Sequence, residues 1–211
     1  MRRARRAKVV VAPETAAILE EYFGLLDRWN AKINLTALPL RPATDETFDR
    51  LFVEPLVAAR LLPDEPRVWL DLGSGGGSPA IPLKAVRPKL KLTMVESKVR
   101  KAAFLREAVR VLKLQDAAVE NSRIELLPAM FIGSASAVTV RAVRVDSTLL
   151  SRASELLATD GQLILFRPNN MPISTKTFEL IETVQLIDTP PSYAAAFRRV
   201  FHVEQRGRGR I

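Results

Sequence analysis

The sequence predicts an α/β protein built on a doubly wound, mostly parallel sheet, with a helical extension on its N-terminal side. Three observations carry this. The apolar run Val68-Trp69-Leu70-Asp71-Leu72 leads into Gly73-Ser74-Gly75-Gly76-Gly77, which holds four of the chain's nine glycines, and apolar residues resume behind Pro79. That is the pattern of a buried strand, a tight turn and the first turn of a helix. A second apolar run, Lys91–Val95, ends in Glu96, 23 residues after Gly73. The spacing is close to the ~20 residues that separate a glycine turn from a ribose-binding carboxylate. Beyond Glu96, stretches of helix and strand character alternate, as a doubly wound sheet requires.

Taken in order, residues 1–8 hold five basic side chains and no acid, and residues 1–12 are expected to form a disordered basic arm. Pro13 suits a first helical position. The helix behind it carries Ile18, Tyr22, Leu25, Leu26, Trp29 and Ile33 on one face. Trp29–Thr36 ends that helix, with Asn30 and Asn34 expected to cap or brace the turn. A second helix begins near Asp45, with Phe48, Leu51, Phe52 and Leu56 inward and Pro55 kinking or splitting it. Pro63-Asp64-Glu65-Pro66 reads as a linker, so residues 13–66 form a helical cap and residues 67–205 the α/β body.

Within the body, a helix is expected from about Lys98 to Lys113, its buried side made of Val99, Ala102, Ala103, Leu105, Ala108, Val109 and Leu112. Strands follow near Ala117–Glu120 and over residues 135–140, then a helix near Thr148–Ala158 and a strand over Gly161–Phe166. Arg167–Pro172 is an irregular loop. Thr183–Ile187 and Arg199–Glu204, flanking Asp188–Ser192, are expected to close the sheet as an antiparallel pair. Residues 206–211 form a second basic tail.

Composition narrows the function classes. The chain has 211 residues, 47% of them apolar, with no cysteine and one histidine. Disulfides, thiolate metal sites and a cysteine nucleophile are thereby excluded, and His202 with scattered carboxylates offers no metal ligand cluster. His202 itself reads as a packed side chain in an apolar strand. No run reaches the ~18 apolar residues of a membrane span. Only Val9-Val10-Val11-Ala12 separates the basic start from Pro13, too short for a signal-peptide core, so a cytoplasmic protein acting as a monomer is expected. The net charge is +9, yet without the five basic residues of the arm and Arg206, Arg208 and Arg210, 24 basic side chains face 23 acidic ones. Basic ends of this kind meet nucleic acid or serve as solvated tails, and composition leaves both open.

The glycine turn allows a backbone at φ > 0 to approach a ligand, and the helix N-terminus behind it presents free N–H groups. With Asp71 before it and Glu96 after it, a nucleotide-type cofactor site outweighs a merely structural turn. A nicotinamide-dependent oxidoreductase could use the same turn and Glu96, but the lack of a histidine suited to its chemistry and everything outside the turn disfavour it. Arg123, Arg141 and Arg144 are candidates for a cofactor carboxylate or RNA phosphates; for Arg123 and Arg144 surface charge or a local ion pair is the competing reading.

Beyond these local readings, Trp29-Asn30-x-x-x-Asn34-Leu35-Thr36, the loop from Asp71 to Leu83, Glu96-Ser97, Lys101-x-x-Phe104-Leu105, Ser122-Arg123-Ile124-Glu125 and Arg141-Ala142 occur in the order and spacing of one family. The chain resembles the small-subunit ribosomal RNA methyltransferase G family, also called GidB, over roughly residues 15–205. The resemblance implies a class I S-adenosylmethionine-dependent methyltransferase, a Rossmann-like seven-stranded sheet with an N-terminal helical cap. It implies methyl transfer to N7 of a guanine in 16S rRNA, with the rRNA or the small ribosomal subunit as partner. Carried over, Gly73, Gly75 and Gly77 form the cofactor turn behind Asp71, with Ser78 beside it, and Glu96 holds the ribose hydroxyls. Ile124 and Glu125 lie against the adenine, and Arg141 stands at the mouth of the substrate pocket. No general base is expected. Arg2, Arg3, Arg5, Arg6 and Arg144 are the candidate RNA contacts. The chain differs from the family's usual pattern at Asp49–Pro55, Phe166-Arg167-Pro168 and Arg198–Phe201. Since those segments lie on the substrate side, an rRNA-binding or assembly protein that retains the fold is the rival function.

Overall fold

Strand β1, Val68–Leu72, lies inside the sheet because both of its faces are apolar, and only a strand covered on both sides carries such a run. The computed structural model describes residues 9–65, 67–171 and 175–200. The other strands are β2 (Lys91–Val95), β3 (Ala117–Glu120), β4 (Ala135–Arg141), β5 (Leu157–Arg167), β6 (Phe178–Asp188) and β7 (Pro191–Arg199). They form one seven-stranded sheet in the order β3-β2-β1-β4-β5-β7-β6. β1 pairs in parallel with β2 and β4, and the parallel set extends to β3 and β5. β7 runs antiparallel between β5 and β6.

Alternation along the strands sorts side chains to two faces. Trp69, Leu92, Met94 and Ile164 pack on one face in a cluster that includes Ile81, Phe104 and Leu105. Leu70, Leu72, Val138, Val140 and Leu163 pack on the other, with Leu149 and Leu156. The first face is covered by helix α1 (Pro13–Asn30), α4 (Ala80–Val86) and α5 (Val99–Val111), and the second by α6 (Ser147–Leu156). Tyr22, Leu25, Leu26, Leu35 and Leu51 from the N-terminal segment belong to the same cluster as Trp69. The cap and the sheet therefore share one core across residues 63–65.

The turn after α1 is braced by Asn30, whose Oδ1 accepts the N–H groups of Leu35 (2.8 Å) and Thr36 (3.0 Å); Asn34 is exposed. The second helical segment is split, as Pro55 requires. Helix α2 (Asp45–Phe48) passes into a π-helical turn over Asp49–Val53, then α3 (Glu54–Ala58) and a 3₁₀ turn over Ala59–Leu61.

Several expectations are corrected. Phe48 is 39% exposed and stacks on Phe23 at the rim. Val99 (69% exposed) and Ala103 face outward, and Phe104 takes the inward position. Val99 sits in the first turn of α5, beyond the reach of the sheet. β5 begins at Leu157, where the preceding helix was expected to continue to Ala158. Among the described residues the last strand is Pro191–Arg199, a strand not expected there; the one expected over Arg199–Glu204 falls mostly outside the described residues. The buried Ala194, Ala195, Ala196 and Phe197 of β7 pair on both sides, and its buried Ser192 pairs with β6. The alanine run has little β propensity of its own but leaves room for the elements packed over both faces. Residues 1–8 and 201–211 lie outside the described residues, so the basic-arm and tail expectations and that for His202 fall there.

Candidate active site at the carboxyl ends of β1 and β4

In an open parallel sheet the ligand crevice forms where strand order reverses, outside the carboxyl ends of the strands. Here that point lies between β1 and β4. A cleft of about 1070 Å³ opens there. Its floor is the turn after β1, where Gly73, Gly75 and Gly77 have φ of +75°, +54° and +90°. A Cβ on Gly73 would lie 2.5 Å from Val143 Cγ2, and one on Gly77 2.5 Å from Ile81 Cδ1. A Cβ on Gly75 meets nothing nearer than the Gly73 carbonyl at 3.7 Å. Gly75 is thus bare toward the cleft, and the other two are packed from behind.

Glu96 ties the turn to the next strand. Its Oε2 accepts the Gly75 N–H at 2.9 Å and its Oε1 the Lys98 N–H at 2.8 Å, at the start of α5. Each oxygen keeps a lone pair for a ligand hydroxyl. Asn121 Nδ2 donates to the Glu96 carbonyl at 2.8 Å. Asp71 lies behind the turn, 1% exposed, accepting from the Thr139 hydroxyl, which in turn accepts from Trp69 Nε1 at 2.9 Å. Burial pushes the Asp71 carboxyl up to about 6, against the hydrogen bonds from Ser74 and Thr139 and the Arg141 charge.

The opposite wall comes from the cap. Tyr22 is fully buried and donates to the Gly76 carbonyl at 2.6 Å; burial holds its hydroxyl well above the ordinary phenol range. Arg141, at the end of β4, donates through Nη2 to Glu54 Oε2 at 2.7 Å and through Nη1 to the Arg50 carbonyl at 2.6 Å and Ser78 Oγ at 3.2 Å. Its guanidinium sits 5.7 Å from the centroid of the Phe166 ring. Burial pulls Arg141 below the usual arginine range, and the Glu54 charge opposes that.

Of the residues singled out by sequence, Gly73, Gly75, Ser78, Glu96, Ile124, Glu125 and Arg141 line this cleft. Asp71 and Gly77 stand behind it. Arg144 is exposed and outside the lining, whereas Arg123 is part of it. Ile124 lies in a 3₁₀ turn, Ile124–Leu126. Arg152 holds that turn by donating to the carbonyls of Ile124 (3.2 Å) and Leu127 (2.7 Å). Glu54, Arg50, Tyr22 and Arg152 were not foreseen. Glu54 left one trace, an acid amid Leu51-Phe52-Val53 and Pro55-Leu56, and Tyr22 left a hydroxyl on an otherwise apolar face.

A bare glycine facing the cleft beside a carboxylate with spare lone pairs fits a nucleoside-bearing cofactor. A family model described as rRNA small subunit methyltransferase G, GidB, matches residues 15–185. The chain belongs to the GidB family. It is 38% identical over 156 residues to the ribosomal RNA small subunit methyltransferase G of Xanthomonas oryzae pv. oryzae (strain KACC10331 / KXO85), covering 72% of this chain and 68% of that one. It is 41% identical over 152 residues to the protein of that name from Stenotrophomonas maltophilia (strain K279a), covering 68% of each. Among solved structures, a SAM-dependent methyltransferase from Aquifex aeolicus superposes with a TM-score of 0.59 at 13% identity, over 74% of this chain and 94% of that one. At that identity the likeness shows the fold alone, a class I methyltransferase fold. The GidB model extends over both the cap and the cleft, so the helical cap is part of what the family shares.

Proposed function

We propose that this GidB-family chain transfers the methyl group of S-adenosylmethionine to N7 of a guanine in 16S rRNA. The observation that carries the reading is the Gly75–Glu96 pair at the β1–β4 switch point of a chain whose relatives are named for small-subunit rRNA methylation. Glu96 would hold the ribose hydroxyls, the turn Gly73–Gly77 would take the chain's close approach to the cofactor, and Ile124 with Glu125 would flank the adenine. When bound, S-adenosylmethionine supplies an electrophilic methyl on a sulfonium centre. A cleft of about 1070 Å³ stands at the top of the ~300–1,000 Å³ range of small-ligand pockets, and it is open to solvent on the side where an extruded base would enter.

Guanine N7 presents a lone pair and has no proton to lose, so this chain needs no general base. What its residues supply is alignment and exclusion of water. Leu26, Leu35, Leu38 and Pro39 give the cleft an apolar wall on the cap side. Arg141, fixed from three directions, supplies a stationary positive charge at its edge. The exposed Arg144 and the arm residues Arg2, Arg3, Arg5 and Arg6 are proposed to meet RNA phosphates, with the protein acting as a cytoplasmic monomer on the small subunit.

The test is incorporation of labelled methyl into small ribosomal subunits that lack the modification, followed by nucleoside analysis. 7-Methylguanosine is expected, with a single-turnover rate nearly flat between about pH 6.5 and 8.5, since no group must lose a proton for attack. Methyl on another atom or base would reject the acceptor. RNA binding without incorporation would favour the rival assembly role.

A further inference from the structure

We infer that Glu54 is a positioning residue for methyl transfer, holding the Arg141 guanidinium against the cofactor cleft through the π-turn of the cap. This rests on the methyltransferase reading above. Glu54 is 2% exposed and serves two cations, Arg141 Nη2 at Oε2 (2.7 Å) and Arg50 Nη1 at Oε1 (3.3 Å). The backbone around it completes the clamp. The Glu54 N–H reaches back to the Asp49 carbonyl, the i−5 partner of a π-turn. The Arg50 carbonyl thereby loses its α-helical donor, and its next candidate, Pro55, has no N–H. Arg141 Nη1 takes that carbonyl at 2.6 Å. The Leu51 carbonyl, whose α-helical partner is also Pro55, accepts from Ser78 Oγ at 3.0 Å. One proline and one acid in the cap thus leave the acceptors that fix an arginine 87 residues away.

Three of these contacts use part of the guanidinium fork of five N–H groups, so donors remain for an anionic group in the cleft that Arg141 lines. Without the Glu54 charge, a buried cation loses its compensation and has reason to swing toward water. A purely structural pair, joining cap to sheet, would change stability but leave cofactor affinity independent of whether Arg141 is present.

The experiment measures S-adenosylhomocysteine affinity by calorimetry and melting temperature for the full chain, for Glu54→Gln, for Arg141→Gln and for the double variant. Each single substitution is expected to weaken binding by at least about tenfold. The double variant should bind within about twofold of Arg141→Gln alone, because Glu54 then has nothing to position. Wild-type-like affinity in Glu54→Gln, or a double variant showing the product of both losses, would overturn the role of Glu54. If Glu54→Gln does not fold, Glu54→Asp, which keeps the charge and shortens its reach, carries the same comparison. Failure of the unaltered chain to bind would instead overturn the methyltransferase reading.

Discussion

Asp71 and Glu96 are both buried carboxylates at the ends of neighbouring strands, yet their surroundings assign them different work. Glu96 accepts two backbone N–H groups and borders the cleft, whereas Asp71 is sealed behind it with Thr139. Glu96→Ala is expected to weaken S-adenosylmethionine binding by ~1.5–3 kcal/mol and to lower the melting temperature as well, since the loop loses its anchor; calorimetry and thermal unfolding check both. Gly75→Arg should abolish binding while the fold persists, because the new side chain enters the one bare part of the turn. Retained affinity in that variant would place the cofactor elsewhere.

For Asp71 the folded value near 6 stands above its ordinary 3.8. The native state therefore binds the proton more tightly than the unfolded chain. Its contribution to stability is full below about pH 3.8 and is lost as pH rises through about 6, an effect of ~3 kcal/mol. Asp71→Asn should gain stability relative to wild type as pH rises from 4 to 7. Denaturant midpoints that stay parallel across that range would show the carboxyl is not held as the geometry implies.

Among the elements, the cap segment Asp45–Leu61 departs furthest from a regular helix, and the departure sits beside the cleft. π-turns recur at functional sites because they release carbonyls for other partners. Pro55→Ala returns an N–H that competes for the Arg50 and Leu51 carbonyls. It should leave thermal stability equal or higher, given proline's helix penalty, while cofactor affinity falls several-fold. Affinity unaffected by this substitution would mean Ser78 and Arg141 do not depend on those carbonyls. Helix α1 reaches the glycine turn through a single polar contact, Tyr22 to Gly76. Tyr22→Phe should cost ~0.5–1.5 kcal/mol in unfolding free energy, the net worth of one hydrogen bond to a half-buried carbonyl.

At the scale of the whole molecule, one apolar cluster spans cap and sheet, so chemical unfolding should show a single transition whether followed by Trp29 and Trp69 fluorescence or by circular dichroism. Charge is distributed differently from packing. The basic excess sits in residues 1–8 and 206–211 beside a nearly neutral body. If those ends meet RNA phosphates, the logarithm of affinity falls with log salt at about −0.7 to −0.9 per phosphate neutralised. Removing both ends should flatten that slope in a salt titration and leave cofactor affinity unchanged. Superimposable slopes would move the RNA contacts to the body.

The alternation of strand and helix, the glycine turn and the acid after β2 were legible in the sequence because each is a local pattern: a run of apolar residues, a φ > 0 requirement, a spacing of 23 residues. β7 was not, since an alanine run has no strand signal until β5 and β6 flank it. Nor could the sequence show that Val99 faces out and Phe104 in, a matter of how α5 is rotated on the sheet. The clamp on Arg141 was equally hidden. Glu54, Ser78 and Arg141 are far apart along the chain, and the π-turn leaves the Arg50 and Leu51 carbonyls without a helical donor, Pro55 having none to give, where the fold brings other donors close. Local chemistry determined which residues can bind a nucleoside; only the packing of the cap on the sheet decided which of them are held still.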